Sequence, residues 1–344
     1  MNCPGQGQPG CGEVRPEMRI LIVKTSSMGD VVHALPAVTD IRVQRPQAVV
    51  HWMVEAPFAA IPQMHPGVSQ VHALRWRKWR RQLWQRATWQ AMREFRAGLQ
   101  AEPYDHIIDL QGLLKSTLWG RQARGPLLGY DRDSLKEPWA ARFYERTAAV
   151  SRSLPAVTRC RHLVAHHLGY ALPESPPDFG LRPPPPSDDW PVPARYAVLI
   201  PGASRPEKFW PAERWQVVGG TLAEQGWTPV VLWGTAAEER MAQALAVGCG
   251  GVVPPFLTVA QSASVLAGAQ AVVGLDTGFS HLAAALGRPT LGIYCDHDPG
   301  LAGITGPAWV RSVGGKGQVP ALAEVMGLLS EQVQQAKQSA SALT

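Results

Sequence analysis

With 344 residues the chain is long enough for two full cores, and 45% apolar content with 33 Gly and 31 Pro suits an α/β protein rich in loops. No apolar run approaches the roughly 20 residues that span a bilayer, and the N-terminus lacks a basic region followed by an apolar core, so the chain is expected to stay in the cytoplasm. Five cysteines without a CxxC spacing indicate neither a disulfide framework nor a zinc knuckle, while a net charge of +6 leaves room for an anionic partner: nucleic acid, a lipid surface or a phosphorylated substrate.

Residues 1–17 are rich in Gly, Pro and Gln and read as a disordered leader, with Met18 as a candidate start. Residues 20–23 (Ile-Leu-Ile-Val) form an apolar run that predicts a strand buried on both faces, broken by Ser26, Ser27 and Gly29. Val31, Val32, Leu35 and Val38 then make one stripe of a helix that Ser27 or Asp30 can cap. Ligands in open α/β sheets sit beyond the carboxyl ends of the strands, so 24–30 forms the lip of a site. Asp30 is there either a cap or a base.

Apolar runs at 49–54, 71–74, 106–110 and 127–130 alternate with helical stretches near 31–45, 83–99, 113–124, 138–146 and 156–168, the rhythm of a parallel sheet built from βαβ units. Within this half, residues 75–81 (Arg-Trp-Arg-Lys-Trp-Arg-Arg) pack five cations and two indoles. A charge run is usually a solvated face, but interleaved Trp favours a binding surface for anionic lipid or nucleic acid. Residues 109–116 (Asp-Leu-Gln-Gly-Leu-Leu-Lys-Ser) predict a second strand-to-helix turn, with Gln111, Gly112 and Lys115 able to reach a polar substrate.

A proline-rich linker, 173–195, separates this first domain (18–172) from a second (196–318). There the rhythm restarts, with strands at 196–200, 229–232, 271–275 and 290–294 and helices at 211–225, 236–247, 259–266 and 281–286. A last helical stretch, 322–337 within the terminal segment 319–344, is expected to pack back on the first domain. The fold class is therefore α/β, with two Rossmann-like domains facing across a cleft.

Residues 274–284 combine a strand end, a tight turn and a helix N-terminus, where free N–H groups and the helix dipole suit an anion such as a diphosphate. The competing reading has Asp276 and Thr277 only capping the helix and His281 packing on its own turn; Asp, Thr, Gly, Ser and His within six residues favour the ligand. After the preceding domain's boundary, 201–210 offers Lys208 as a point charge for phosphate, with Ser204 and Gly202 beside it. Beyond Trp233, Glu238 or Glu239 is placed to take ribose hydroxyls, or else only to stabilise its helix. No G-x-G-x-x-G follows the first strand, which disfavours a dinucleotide oxidoreductase.

The run 18–37, the basic Arg-Trp-Arg-Lys segment, 109–116, Lys136-Glu-Pro, Phe143-Tyr, Lys208-Phe-Trp-Pro, Trp233-Gly and Asp276-Thr-Gly-Phe-Ser-His-Leu, in that order, resemble the lipopolysaccharide heptosyltransferases of glycosyltransferase family 9. The resemblance covers nearly everything from Met18 to about residue 335. It implies a GT-B fold and an inverting transfer from ADP-L-glycero-β-D-manno-heptose to the Kdo of Kdo-lipid A at the cytoplasmic face of the inner membrane, with no nucleic acid as partner. Carried over by position, Asp30 is the catalytic base, and Ala203, Ser204, Lys208, Glu238, Leu257, Asp276, Thr277, Gly278 and His281 line the donor pocket. The acceptor side falls to Ser27, Gln111, Gly112, Lys115 and the cations Arg75, Arg77, Lys78, Arg80 and Arg81.

No metal or cofactor is expected. Asp131-Arg-Asp133 and Asp296-His-Asp298 have an Asp-x-Asp spacing but lie outside the matching motifs. Two rivals remain: a second heptosyltransferase acting on the already heptosylated acceptor, and a nucleic-acid binder suggested by the basic charge and the Arg-Trp run.

Overall fold

The computed structural model describes residues 17–186, 190–203 and 205–341; the expected leader, up to residue 16, and Ser204 lie outside the described residues. The first half runs β1 (Arg19–Val23), α1 (Met28–Gln44), β2 (Val49–Glu55), α2 (Ala60–Gln63), β3 (Gln70–Leu74), α3 (Trp76–Trp79), α4 (Arg86–Gln100), β4 (His106–Asp109), α5 (Leu114–Gly120), β5 (Leu127–Tyr130), β6 (Arg146–Ala148) and α6 (Ala156–Leu168). The second runs β7 (Tyr196–Ile200), α7 (Ala212–Glu224), β8 (Thr228–Val231), α8 (Ala236–Cys249), α9 (Val259–Gly268), β9 (Ala271–Leu275), α10 (Gly278–Ala285), β10 (Thr290–Tyr294), α11 (Pro299–Ala302), β11 (Val310–Gly314) and α12 (Leu322–Ser341).

Two parallel sheets result, ordered β3-β2-β1-β4-β5-β6 and β11-β10-β9-β7-β8. Each reverses direction once. In the first sheet the neighbours at the reversal are β1 and β4, and in the second β7 and β9. Crevices open at such switch points, so the loops after these four strands are where ligands belong. The four β1 residues Ile20, Leu21, Ile22 and Val23 are fully buried, as a strand covered on both faces requires.

One apolar cluster runs from β1, β2 and α1 into Val198, Ile200, Leu282 and Ala283 of the second half. The halves thus meet through packed side chains below the cleft, with α1 against α10 and α2 against α9. Inside the first half, the buried Arg161 of α6 donates to both carboxylate oxygens of Asp40 in α1, at 2.7 and 3.1 Å, and also reaches the carbonyls of Pro173 and Ser175. The same guanidinium therefore ties two helices together and anchors the start of the proline-rich segment.

Two expectations need correction. The terminal helix α12 lies on the second sheet and not on the first domain: Val325, Leu329, Val333 and Ala336 enter the second sheet's core, and Gln332 donates to the carbonyls of Val272 and Pro289. Its apolar residues recur every three or four positions, which fixes a buried face but says nothing about which sheet receives it. The helix read at 138–146 is a 3₁₀ stretch, Pro138–Phe143, followed by strand β6. Strands β6 and β11 are polar edge strands without an apolar run, so neither announces itself by hydrophobicity. Cys160, Cys249 and Cys295 are buried free thiols. Among the described residues no helix is long and apolar enough to cross a membrane.

Candidate active site

The loop after β1 is built before it is functional. Ser27 caps α1, and its N–H and hydroxyl both donate to Oδ2 of Asp30, at 2.7 and 2.8 Å. The other oxygen, Oδ1, lies 3.9 Å from Lys24 Nζ, outside hydrogen-bond reach. Lys24 itself is buried and donates to the carbonyl of Leu110 at 2.9 Å. Burial pushes the Asp30 carboxyl upward, but Lys24, the two Ser27 bonds and His33 together hold it below its ordinary value. Asp30 is accordingly both a cap and an ionised carboxylate on the rim of the cleft.

The turn after β4 braces that loop. Asp109, fully buried, accepts the N–H groups of Gln111 and Gly112 at 2.9 and 3.1 Å and the hydroxyls of Ser116 and Tyr144 at 2.8 and 2.9 Å. Gln111 Oε1 then accepts the N–H groups of Thr25 and Ser26, at 3.1 and 3.0 Å, and Lys115 Nζ donates to Ser26 Oγ at 2.7 Å. Gly112 has φ +68, and a Cβ there would stand 2.5 Å from Leu135. Of the residues expected to touch the acceptor, Gln111 and Lys115 thus brace the Asp30 loop, while the Gly112 N–H bonds to Asp109 within its own turn.

Across the cleft, the turn after β9 carries Asp276, and the loop after β7 brings Lys208 to it. Asp276 Oδ2 accepts from Lys208 Nζ at 2.5 Å, and its Oδ1 lies 3.3 Å from His281 Nε2. Burial would raise the Asp276 carboxyl, but hydrogen bonds from His281 and Lys208 and their charges win and carry it down to about 2. Thr277 is the N-cap of α10, and its buried Oγ1 has no hydrogen-bond partner among the described residues. The first N–H groups of α10 have no partner within the helix, so this end presents donors and the positive end of a dipole to the cleft.

The two lips touch. His33 Nε2 lies 3.1 Å from His281 Nδ1, with the rings edge to face. Burial, then the neighbouring His281, depress His33 to about 3, so it is neutral at physiological pH. If His281 gives its Nε2 proton to Asp276, its Nδ1 must accept the His33 Nε2 proton, and a chain of hydrogen bonds runs Lys208–Asp276–His281–His33 from one half to the other. A Cβ on Gly278 would stand 2.4 Å from the Met28 side chain, so this close approach of backbone to the opposite lip needs glycine.

Between these loops lies a cavity of about 660 Å³. Its walls bring together Ser27, Asp30, Arg77, Ala203, Lys208, Glu238, Asp276, Thr277, Gly278 and His281 of the expected residues. Glu238 and not Glu239 faces it, folded back so that Oε2 accepts the Gly234 N–H at 3.0 Å. Leu257 is not in its wall; it is half-buried against the main apolar cluster. Nor are Arg75, Lys78, Arg80 and Arg81, which are exposed.

In the basic segment the indoles are turned inward. Trp79 is 4% exposed and Trp76 partly buried, both stacked on Trp119. Trp79 is a core residue and Trp76 packs against the core, so the binding surface expected at this segment presents its cations without freely exposed indoles. Sequence reasoning missed His33 and Phe58, both in the cavity wall; His33 sits one helical turn after Asp30, which was the available signal. Arg77 stacks over Phe58 at 5.3 Å.

A profile of Glycosyltransferase family 9 (heptosyltransferase) matches residues 92–324. Lipopolysaccharide heptosyltransferase 1 of Pseudomonas aeruginosa is 44% identical over 296 residues, covering 86% of this chain and 83% of the relative. The protein of the same name from Escherichia coli K12 is 43% identical over 293 residues, covering 83% and 90%. Among solved structures, E. coli heptosyltransferase WaaC with ADP superposes with a TM-score of 0.84 at 38% identity, over 92% of this chain and 100% of that one. E. coli ADP-heptose lipopolysaccharide heptosyltransferase II reaches a TM-score of 0.73 at 18% identity over 93% and 100%, a likeness of fold alone.

Proposed function

The chain belongs to glycosyltransferase family 9, the heptosyltransferases, and from that membership we propose that it moves L-glycero-D-manno-heptose from ADP-L-glycero-β-D-manno-heptose to the Kdo of Kdo-lipid A in lipopolysaccharide inner-core synthesis. It is a glycosyltransferase of the GT-B fold, and on this proposal it works as a peripheral protein at the cytoplasmic face of the inner membrane. The observation that carries the reading is the meeting of Asp30 with Lys208, Asp276 and the α10 N-terminus around one cavity.

The residues divide the work by charge. Lys208 and the N–H groups at Thr277 and Gly278 take the donor's diphosphate, where negative charge grows as ADP departs. Glu238, beside the loop after β8, takes ribose hydroxyls. Asp276 holds Lys208 and His281 in place and has no proton of its own to give. On the opposite lip, Asp30 removes the proton of the attacking Kdo hydroxyl as that oxygen bonds to the anomeric carbon and the bond to phosphate breaks. ADP leaves with the electron pair, and one displacement inverts the anomeric centre.

Purified protein, ADP-heptose and Kdo-lipid A, with EDTA present, are expected to yield ADP and an acceptor heavier by one heptose in mass spectrometry. Transfer only to the already heptosylated acceptor would assign the protein to the following step. ADP without a mass gain would contradict transfer altogether.

A further inference from the structure

The surface outside the cleft has an unusual concentration of exposed apolar side chains on one side of the first half. Trp84 is 79% exposed, Leu118 54% and Trp89 49%, and Leu83 and Leu114 are also exposed. They form one patch. Trp89 Nε1 donates to the Leu83 carbonyl at 2.7 Å, which holds the 83–84 turn against α4, and Leu114 stands one turn before Leu118 on α5. Between α4 and α5 the patch dips into a cavity of about 630 Å³, walled by Trp76, Trp89, Met92, Leu118 and Trp119.

Cations surround this apolar floor. Arg93, Arg96 and Lys115 border the cavity. At 3.6 residues per turn, Arg86, Trp89, Met92, Arg93 and Arg96 fall within an arc of about 120° on α4. An exposed helix face that mixes Trp, Met and Arg, next to a turn led by a free Trp, has the composition of an interfacial element. An apolar floor inside a cationic rim complements an acyl layer beneath anionic headgroups, and each Lys or Arg near such a surface adds attraction.

We infer that the α4–α5 face, centred on Trp84, Trp89 and Leu118, is the surface by which the protein docks on an anionic lipid bilayer. It rests on the reading of a membrane-borne acceptor only for its purpose. The docking face adjoins the chemistry: Lys115 on its rim donates to Ser26, in the loop that carries Asp30, so a bilayer held there delivers its lipid-linked sugar beside the base. The basic turn 75–81, whose indoles are core residues, contributes charge without insertion.

The test is co-sedimentation of the full chain with vesicles of phosphatidylcholine containing phosphatidylglycerol, compared with phosphatidylcholine alone. The wild type is expected to bind the anionic vesicles. Trp84→Glu/Leu118→Glu, both at exposed positions, is expected to weaken that binding by about tenfold or more while turnover of a deacylated, water-soluble Kdo acceptor stays at the wild-type rate. Unchanged binding by the double variant overturns the inference, as does loss confined to Lys78→Glu/Arg81→Glu, which would move docking to the basic turn. A wild type that ignores both vesicle types also overturns it, even with soluble-acceptor turnover intact. Absence of that turnover in the wild type is the separate failure of the enzymatic reading.

Discussion

Asp30→Asn is expected to lower kcat by about a hundred- to ten-thousand-fold, the usual contribution of a general base, with donor affinity unchanged. Asparagine keeps an oxygen able to accept the Ser27 N–H, and the N-cap Ser27 itself is untouched, so α1 and its loop should survive. What disappears is the only function an amide cannot perform, acceptance of a proton. The variant therefore separates the two roles that the structure gives this side chain: a thermal midpoint near that of the wild type with turnover lost assigns a base, whereas near-normal turnover leaves only the cap. The pH profile supplies a second check. Because Lys24, Ser27 and His33 keep the carboxyl below its ordinary value despite burial, Asp30 is ionised throughout the range above about pH 5, and the wild-type rate should show no Asp30 titration there. Activity should fail only as acid protonates it, below that range.

Lys208→Ala is expected to cut kcat/KM by roughly a hundred- to a thousandfold, comparable to removal of a preorganised donor from a developing oxyanion. The ammonium is held 2.5 Å from Asp276 Oδ2 and 3.1 Å from the Asp276 carbonyl, which fixes it at the end of β9 beside the α10 N-terminus, where the diphosphate is proposed to bind. The same charge attracts the diphosphate of free ADP, so ADP affinity measured by calorimetry should fall together with catalysis. The two effects distinguish Lys208 from Asp30, whose loss should spare ADP binding. Unchanged ADP affinity in Lys208→Ala would remove the phosphate contact from the account and leave Lys208 as a partner of Asp276 alone.

Much of this architecture was legible because parallel strands buried on both faces write themselves as short apolar runs. β1, β7, β9 and β10 could be placed from Val, Ile and Leu alone, and the turns that follow β1, β4, β7 and β9 carry the Gly, Ser, Thr and Asp that such turns require. Since the switch points fall at those same four strands, reading the strands was close to reading the cleft. Edge strands were harder to read: Arg146–Ala148 and Val310–Gly314 are held by one neighbour each and need no apolar run.

Side-chain roles within the site were less legible than its position. Gln111 and Lys115 are polar residues on a cleft-facing turn, which reads as substrate contact; the sequence does not reveal that Asp109 gathers this turn or that Gln111 accepts two backbone N–H groups from the β1 loop. His33 lies beside the apolar stripe of α1 without belonging to it, and since its partner His281 is 248 positions away no local pattern links them. The indoles at 76 and 79 illustrate the opposite error. Alternation with cations made them look exposed, yet Trp119 and Phe95 complete an aromatic cluster that takes Trp79 inside. The exposed indoles are those of Trp84 and Trp89, farther along the chain.

The proposed reaction is a single displacement in one cleft, with the acceptor hydroxyl deprotonated by Asp30 on one lip and ADP stabilised by Lys208 and the α10 N-terminus on the other. The most direct measurement is the anomeric configuration of the transferred heptose, read from the coupling constants of the purified product. From the β-configured donor an α-linked heptose is predicted. A β-linked product would require two displacements through an intermediate, and would contradict the account.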